Sequence, residues 1–344
     1  LALGDAALAL RCSVHRRRAA LRPKAALNNL NNLVLNKFVI RGDDSSTSLN
    51  LLGKGINDVD MQIICKIFSN GVMNNLKDLD LKINNIGPQG MKAFANALSK
   101  GALNNLENLA LYHNKIGNEG MKAFMGAISK GAVNHLKYLN LKYNKIGDEG
   151  MKAFAQALSM GALNNLESLD LSLYNKIGHE GMEAFAGAVS KGALSNLKTF
   201  SLGSNQIGNE GMKAFVEALS KGALNNLQYL DLCNNNIGPE GMKAFAEAIS
   251  KGGLNNLKNL KFYWNFIGDE GMKAFSEALS MGALNDLKNL SLLRNQISDE
   301  GMKAFAEALS KGASNNLENL CLSENKFRVR VRVRVRVRVR VRVR

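Results

Sequence analysis

From Leu76 onward the apolar positions recur in a fixed frame, and within each unit their spacing changes halfway. Residues 106–135 read LENLALYHNKIGNEGMKAFMGAISKGAVNH. Leu109 and Leu111 are two apart with Ala110 between them, so the leucines share one face of a strand. Met121, Phe124 and Ile128 fall at i, i+3 and i+7, one stripe of a helix. Gly90, Gly120, Gly150, Gly181, Gly211, Gly241, Gly271 and Gly301 mark the frame, at steps of 30 residues except one of 31 between Gly150 and Gly181. Each unit is therefore strand, turn, helix, turn. Pro88 and Pro239 fit the first helical position, where a missing N–H costs nothing. Gly101 and its equivalents fit the left-handed residue that closes a helix.

Stacking such units dictates a shape. The strands must run parallel, with all helices on one side. Neighbouring strands sit about 4.8 Å apart, whereas packed helices need about 8–10 Å. The strands must then line the inside of an arc and the helices its outside. The expected fold is α/β: a right-handed solenoid or horseshoe, with parallel strands on the concave face and helices on the convex face.

The frame LxxLxLxxNxIGxEG, followed by GMKAFxxAxSKGAxNN, resembles ribonuclease-inhibitor-type leucine-rich repeats, which also occur in NOD-like receptors and Ran GTPase-activating proteins. It covers residues 76–327. Residues 46–75 fit more loosely, with Leu49, Leu51, Ile56, Met61 and Gly71 in register, as a divergent cap would. This gives a repeat domain over 46–327. Before it lies an irregular segment, 1–45, with a partial repeat at 30–38. After it comes an Arg-Val tail, 328–344. The resemblance implies that Asn84, Asn114, Asn144, Asn175, Asn205, Asn235, Asn265, Asn295 and Asn325 form a ladder satisfying backbone groups of the turns.

Slots that repeat are read as structural. The phenylalanines at 94, 124, 154, 185, 215, 245, 275 and 305 form a core column. The helical lysines at 92, 122, 152, 213, 243, 273 and 303 resemble a basic stripe, but a glutamate stands three residues before most of them. With the i,i+4 pairs Glu217–Lys221, Glu247–Lys251 and Glu307–Lys311, that face is expected to be solvated and charge-balanced.

Variation is concentrated in the outward strand slots. All six tyrosines and the single tryptophan sit in or just after strands. Side chains there alternate with inward leucines and face the concave surface. Two candidate partner-binding clusters result: Tyr112, His113, Tyr138, Tyr143 and Tyr174; and Tyr229, Tyr263, Trp264 and Arg294. In-register neighbours, one unit apart, include His113 with Tyr143, Asp231 with Lys261, and Trp264 with Arg294 as a cation–π pair. Exposed Tyr, Trp and Arg are the residues enriched at binding hot spots. The extra residue in LESLDLSLYNKIG, 166–178, is expected to bulge the ridge beside the first cluster.

Charge changes this picture little. The formal +16 falls to +2 on residues 28–327 once the nine arginines of 328–344 and the net +5 of 1–27 are set aside. The strict Arg-Val alternation is read as a translated tandem DNA repeat. As a peptide it is a polycation that would bind nucleic acid or anionic membrane. Cys12, Cys65, Cys233 and Cys321 form no CxxC or metal spacing, which favours a reducing, cytoplasmic setting, with a nuclear one as second choice. A phosphate loop GxxxxGK[ST], HExxH and GxSxG are all missing from the sequence. The expectation is a monomeric, non-catalytic scaffold that binds a protein, with no cofactor or metal. Regulation of a small GTPase is an alternative by analogy, and nucleic-acid or membrane binding by the basic termini is another.

Overall fold

A computed structural model describes residues 46–71, 73–327 and 340–342. The partial repeat at 30–38, the basic run before it and most of the Arg-Val tail lie outside the described residues.

Ten three-residue strands form one parallel sheet in chain order: β1 Ser48–Asn50, β2 Asp78–Asp80, β3 Asn108–Ala110, β4 Tyr138–Asn140, β5 Ser168–Asp170, β6 Thr199–Ser201, β7 Tyr229–Asp231, β8 Asn259–Lys261, β9 Asn289–Ser291 and β10 Asn319–Cys321. An eleventh, β11 Arg340–Arg342, pairs parallel to β10. Between the ten strands run nine helices: α1 Asp58–Ser69, α2 Pro88–Ser99, α3 Gly117–Ile128, α4 Gly147–Ser159, α5 His179–Val189, α6 Gly208–Ser220, α7 Pro239–Ser250, α8 Gly268–Ser280 and α9 Asp299–Ser310. Each helix packs on the next. The result is the solenoid that the two spacings demand. Residues 46–75, read as a loose cap, form a full unit with a strand and a helix. Asn57 and Asp60 close a capping box at the start of α1.

Register keeps the strand faces aligned along the sheet. Leu49 pairs with Leu79, Leu79 with Leu109, and Leu169 with Phe200 across the 31-residue step. These central residues are buried, while their neighbours on each strand face outward. The phenylalanine column is also buried throughout. Phe200 and Phe262 replace strand leucines and thicken it locally, with Phe185–Phe200 at 5.1 Å and Phe245–Phe262 at 5.0 Å between ring centroids.

The frame glycines have a packing reason. A Cβ at Gly211 would stand 2.8 Å from Ile207 Cγ2 and 3.1 Å from the backbone of His179 on the preceding helix. Helices approach too closely there for any side chain.

Asparagine amides hold the turns together as the resemblance implied. Asn265 Nδ2 donates to Leu232 O and Phe262 O at 2.9 Å, and its Oδ1 accepts from Asn235 N and Ile237 N at 3.0 Å. Asn84, Asn175, Asn205 and Asn325 do the same work in their own turns. Each buried polar group left unpaired would cost about 1–3 kcal/mol.

The helix entrances follow two designs. Before α2, α5, α7 and α9 the cap residue is extended: Gly87 at φ −104°, Gly178 at −103°, Gly238 at −98° and Ser298 at −94°. Its N–H donates backward, to a side chain of the preceding unit: Asp58, Asp148, Asn209 and Asp269 respectively, at 2.6–2.7 Å. In α3, α4, α6 and α8 the equivalent glycines are themselves the first helical residues and are left-handed, near φ +60°. Their N–H groups donate forward, to the backbone carbonyls of Asn144, Asn175, Asn235 and Asn295, at 2.7–3.0 Å. The preceding unit offers Pro88, His179 or Pro239 in three of these four cases, and none of these supplies the carboxylate or amide acceptor. Asn118 is the fourth, and its Oδ1 instead accepts from Gly150 N at 3.1 Å. Non-glycine residues, Asn57 and Ser298, occupy this slot only where φ is negative. Asp269 shows the balance: partial desolvation pushes its pKa up, but hydrogen bonds from Ser298 and Gly301 hold it below the usual value.

Charge on the helices is locally balanced. Lys152 bridges Glu149 at 2.9 Å and Glu180 at 2.6 Å, and Lys273 bridges Glu270 at 3.1 Å and Glu300 at 2.6 Å. Of the three expected i,i+4 pairs, Glu217–Lys221 closes at 2.8 Å. Glu247–Lys251 and Glu307–Lys311 form no ion pair, since solvated flexible side chains gain little by closing one.

Candidate functional site

The outward slots make three columns along the sheet and a fourth along its rim. The first and third residues of each strand give two columns. The residue after the next leucine gives a third, holding Tyr112, Lys142, Gly203, Cys233 and Tyr263. The chain then turns through a left-handed residue at Ile83, His113, Tyr143, Tyr174, Ser204, Asn234, Trp264, Arg294 and Glu324. Left-handed backbone costs a non-glycine residue roughly 1–2 kcal/mol. Because every unit has it, it is a property of the turn and not of one site. It places the fourth column along the rim.

The first cluster divides. Tyr112, His113, Tyr143 and Tyr174 form a continuous ridge: ring centroids are 5.7 Å, 4.5 Å and 5.4 Å apart in that order. The last two contacts are edge-to-face, at 61° and 79°, the geometry that aromatic quadrupoles favour. Tyr138 stands apart on β4, where its hydroxyl accepts from Asn140 Nδ2 at 3.0 Å. The inserted residue is absorbed in this ridge. Leu173 and Tyr174 are both left-handed, and Tyr174 reaches 62% exposure.

The second cluster also divides. Trp264 and Arg294 form the expected cation–π pair, with the guanidinium carbon 4.4 Å from the ring centroid. Arg294 bonds onward to Glu324. Tyr229 and Tyr263 belong to a more enclosed group on the strands. Tyr229 donates to Asp231 at 3.4 Å, and Lys261 lies 5.0 Å from the centre of its ring. Asp231 and Lys261 are neighbours as expected, but at 4.0 Å.

Cys233 completes this group. Burial, then Asp231, pushes its thiol up to about 12, and burial together with Cys233 raises the Tyr263 phenol. Neither is ionised near neutral pH, so the group offers hydrogen bonds and surface but no activated nucleophile. Among the described residues no three His, Cys, Asp or Glu side chains are grouped to hold a metal. No helix among them is long and apolar enough to cross a membrane.

Several surface features escaped the sequence reading. Phe266 is 50% exposed beside Trp264, in a slot that holds Lys115, Lys145, Lys176 and Lys326 in other units. A change of residue type at a fixed slot was the signal that could have found it. Asn259, Asn289 and Asn319 form a side-chain ladder across β8–β10, with links of 2.6 Å. Just before the strands, Glu107 bridges Lys77 at 3.0 Å and Lys137 at 2.7 Å, and Glu167 holds Lys198 at 2.7 Å. Those two lysines hold the Glu107 carboxyl down at about 2.

The family described as Leucine Rich repeat matches residues 72–95, 102–125, 134–155, 162–186, 193–216, 223–246, 253–276 and 283–306, together more than half of the chain. No curated protein matches it. Among solved structures, the crystal structure of an internalin from Listeria monocytogenes is similar at 18% identity and a TM-score of 0.46. The match covers 92% of this chain and 93% of that one.

Proposed function

The chain belongs to the leucine-rich-repeat family, and from that premise we propose that it is a non-catalytic scaffold gripping a protein partner with its concave face and rim. One observation carries the reading. Fixed slots fill the core and the convex face, whereas aromatic side chains vary from unit to unit only on the strand side, where Tyr174, Trp264 and Phe266 stand about half exposed or more. A rigid backbone that displays Tyr, Trp and Arg without ordering cost is what a binding hot spot needs.

Helices of 11–13 residues between each pair of successive strands from β1 to β10 support the ribonuclease-inhibitor subtype of the repeat. A reducing, cytoplasmic setting is supported by Cys65, Cys233 and Cys321, which stand apart as free thiols. We do not extend the proposal to GTPase activation. That chemistry commonly relies on an arginine reaching the nucleotide, and the one arginine of residues 46–327, Arg294, is held between Trp264 and Glu324.

Affinity capture with the full chain tests the proposal, run beside a Tyr263→Ala/Trp264→Ala variant of equal thermal stability. A protein held by the first and lost from the second supports it. The same proteins held by both would move attention to the helices.

A further inference from the structure

The rim of β3–β5 is aromatic and also basic. Lys115, Lys145 and Lys176 follow His113, Tyr143 and Tyr174 by two residues in three successive units, and all three are exposed. Lys142 lies 5.5 Å from the centre of the Tyr112 ring. None of the four forms an ion pair with a described residue. The lysines just before the strands differ, since Lys77 and Lys137 share Glu107, and Lys198 holds Glu167. Asp148, three residues after Lys145 in the first turn of α4, is engaged in capping α5 through Gly178 N and Gly181 N. Four ammonium groups without a carboxylate thus flank a row of rings.

We propose that this rim docks an acidic, extended segment of a protein partner. The proposal rests on the scaffold reading above and names the partner's chemistry at one of its two clusters. Strands repeat about every 4.8 Å, so successive lysines offer closely spaced sites for carboxylates, with tyrosine hydroxyls available as further donors. Ring geometry selects peptide over nucleic acid. Successive bases stack on a series of aromatic platforms, but His113, Tyr143 and Tyr174 turn edge-to-face on one another, so neighbouring rings present no common stacking direction. Carboxylates meeting ammonium groups that lack a competing ion pair gain both affinity and association rate.

Fluorescence anisotropy of a labelled Glu-Ala repeat peptide tests this on the full chain. Three proteins are compared: wild type, the rim variant Lys115→Glu/Lys145→Glu/Lys176→Glu, and the helix-end variant Lys100→Glu/Lys130→Glu/Lys191→Glu. The two variants carry the same change in net charge, and the arginine tail contributes equally to all three. Thermal melts establish that each is folded. The rim variant should bind the peptide about tenfold or more weakly, and the helix-end variant within about twofold of wild type. Equal losses in the two variants would reduce the effect to overall charge and overturn the proposal. So would absence of peptide binding by wild type, or tighter binding of oligothymidine through the same lysines. If the peptide fails while capture still depends on Tyr263 and Trp264, this inference falls and the scaffold reading stands.

Discussion

Arg294 lies over the Trp264 ring at 4.4 Å and is held in place by Glu324 on its other side. Three successive units thus each contribute one member of the chain Trp264–Arg294–Glu324, all from the same left-handed slot. The chain's single tryptophan therefore reports on the rim of β8–β10. Arg294→Ala should uncover one ring face and raise acrylamide quenching of Trp264. Unfolding free energy should change by no more than about 1 kcal/mol, as for an exposed cation–π pair. Unchanged quenching would mean that the guanidinium does not cover the ring in solution.

Phe215 sits in the core column, 6.4 Å from Phe185 and 6.2 Å from Phe200 between ring centroids. Truncation to alanine leaves a cavity that rigid neighbouring repeats cannot close. Phe215→Ala should cost about 3–5 kcal/mol in urea or thermal unfolding.

The two helix entrances make a signed pair of predictions. Ser298 shows that the extended entrance accepts a hydroxyl, which donates to Asp269 Oδ2 at 2.6 Å. Gly178 has the same backbone, and a Cβ there would lie 3.0 Å from Asp148 Oδ2, the movable end of that side chain. Gly178→Ser should leave stability unchanged or raise it by up to about 1 kcal/mol. Gly208 has open space around it but sits at φ +63°. Gly208→Ser should therefore destabilise by about 1–2 kcal/mol. Equal effects of the two substitutions would refute the two-design account of the entrances.

Acid should open the ladder before the strands. Hydrogen bonds from Lys137 and Lys77 lower the Glu107 carboxyl from 4.5 to about 2. Because the folded pKa lies below the unfolded one, the contribution is present above about pH 4.5 and is lost as pH falls toward 2. Carboxyl-carbon NMR should show Glu107 titrating well below an isolated glutamate, and Lys137→Met should return it toward the ordinary value. Glu107 is only partly buried and both lysines are exposed, so added salt should also weaken the effect.

Much of this was legible in the chain, because each repeat constrains the others. A period-two stripe joined to a period-3.6 stripe in every unit left few ways to fold. Pro88 and Pro239 marked helix starts, and the slot of Trp264 and Arg294 placed that pair. Reading across units revealed what reading within them could not. Asp or Asn about thirty positions earlier, at 58, 148, 209 and 269, goes with the extended entrance, and Pro or His at 88, 179 and 239 with the left-handed one. Asn118 precedes a left-handed entrance and accepts from Gly150 N instead. The Lys77–Glu107–Lys137 ladder has the same hidden spacing. Tyr138 shares a face with the ridge but stands in an earlier slot of its unit, and therefore in a different column. Glu247–Lys251 illustrates a different limit: favourable helical spacing permits an ion pair without forming one.

The most direct measurement of the central claim is hydrogen–deuterium exchange on the chain with and without the captured partner. The account predicts new protection in the strands and the turns that follow them, near 110–115, 140–145, 171–176 and 261–266, with α2–α8 little changed. Protection confined to those helices, with the strand side exchanging as in the free chain, would contradict it.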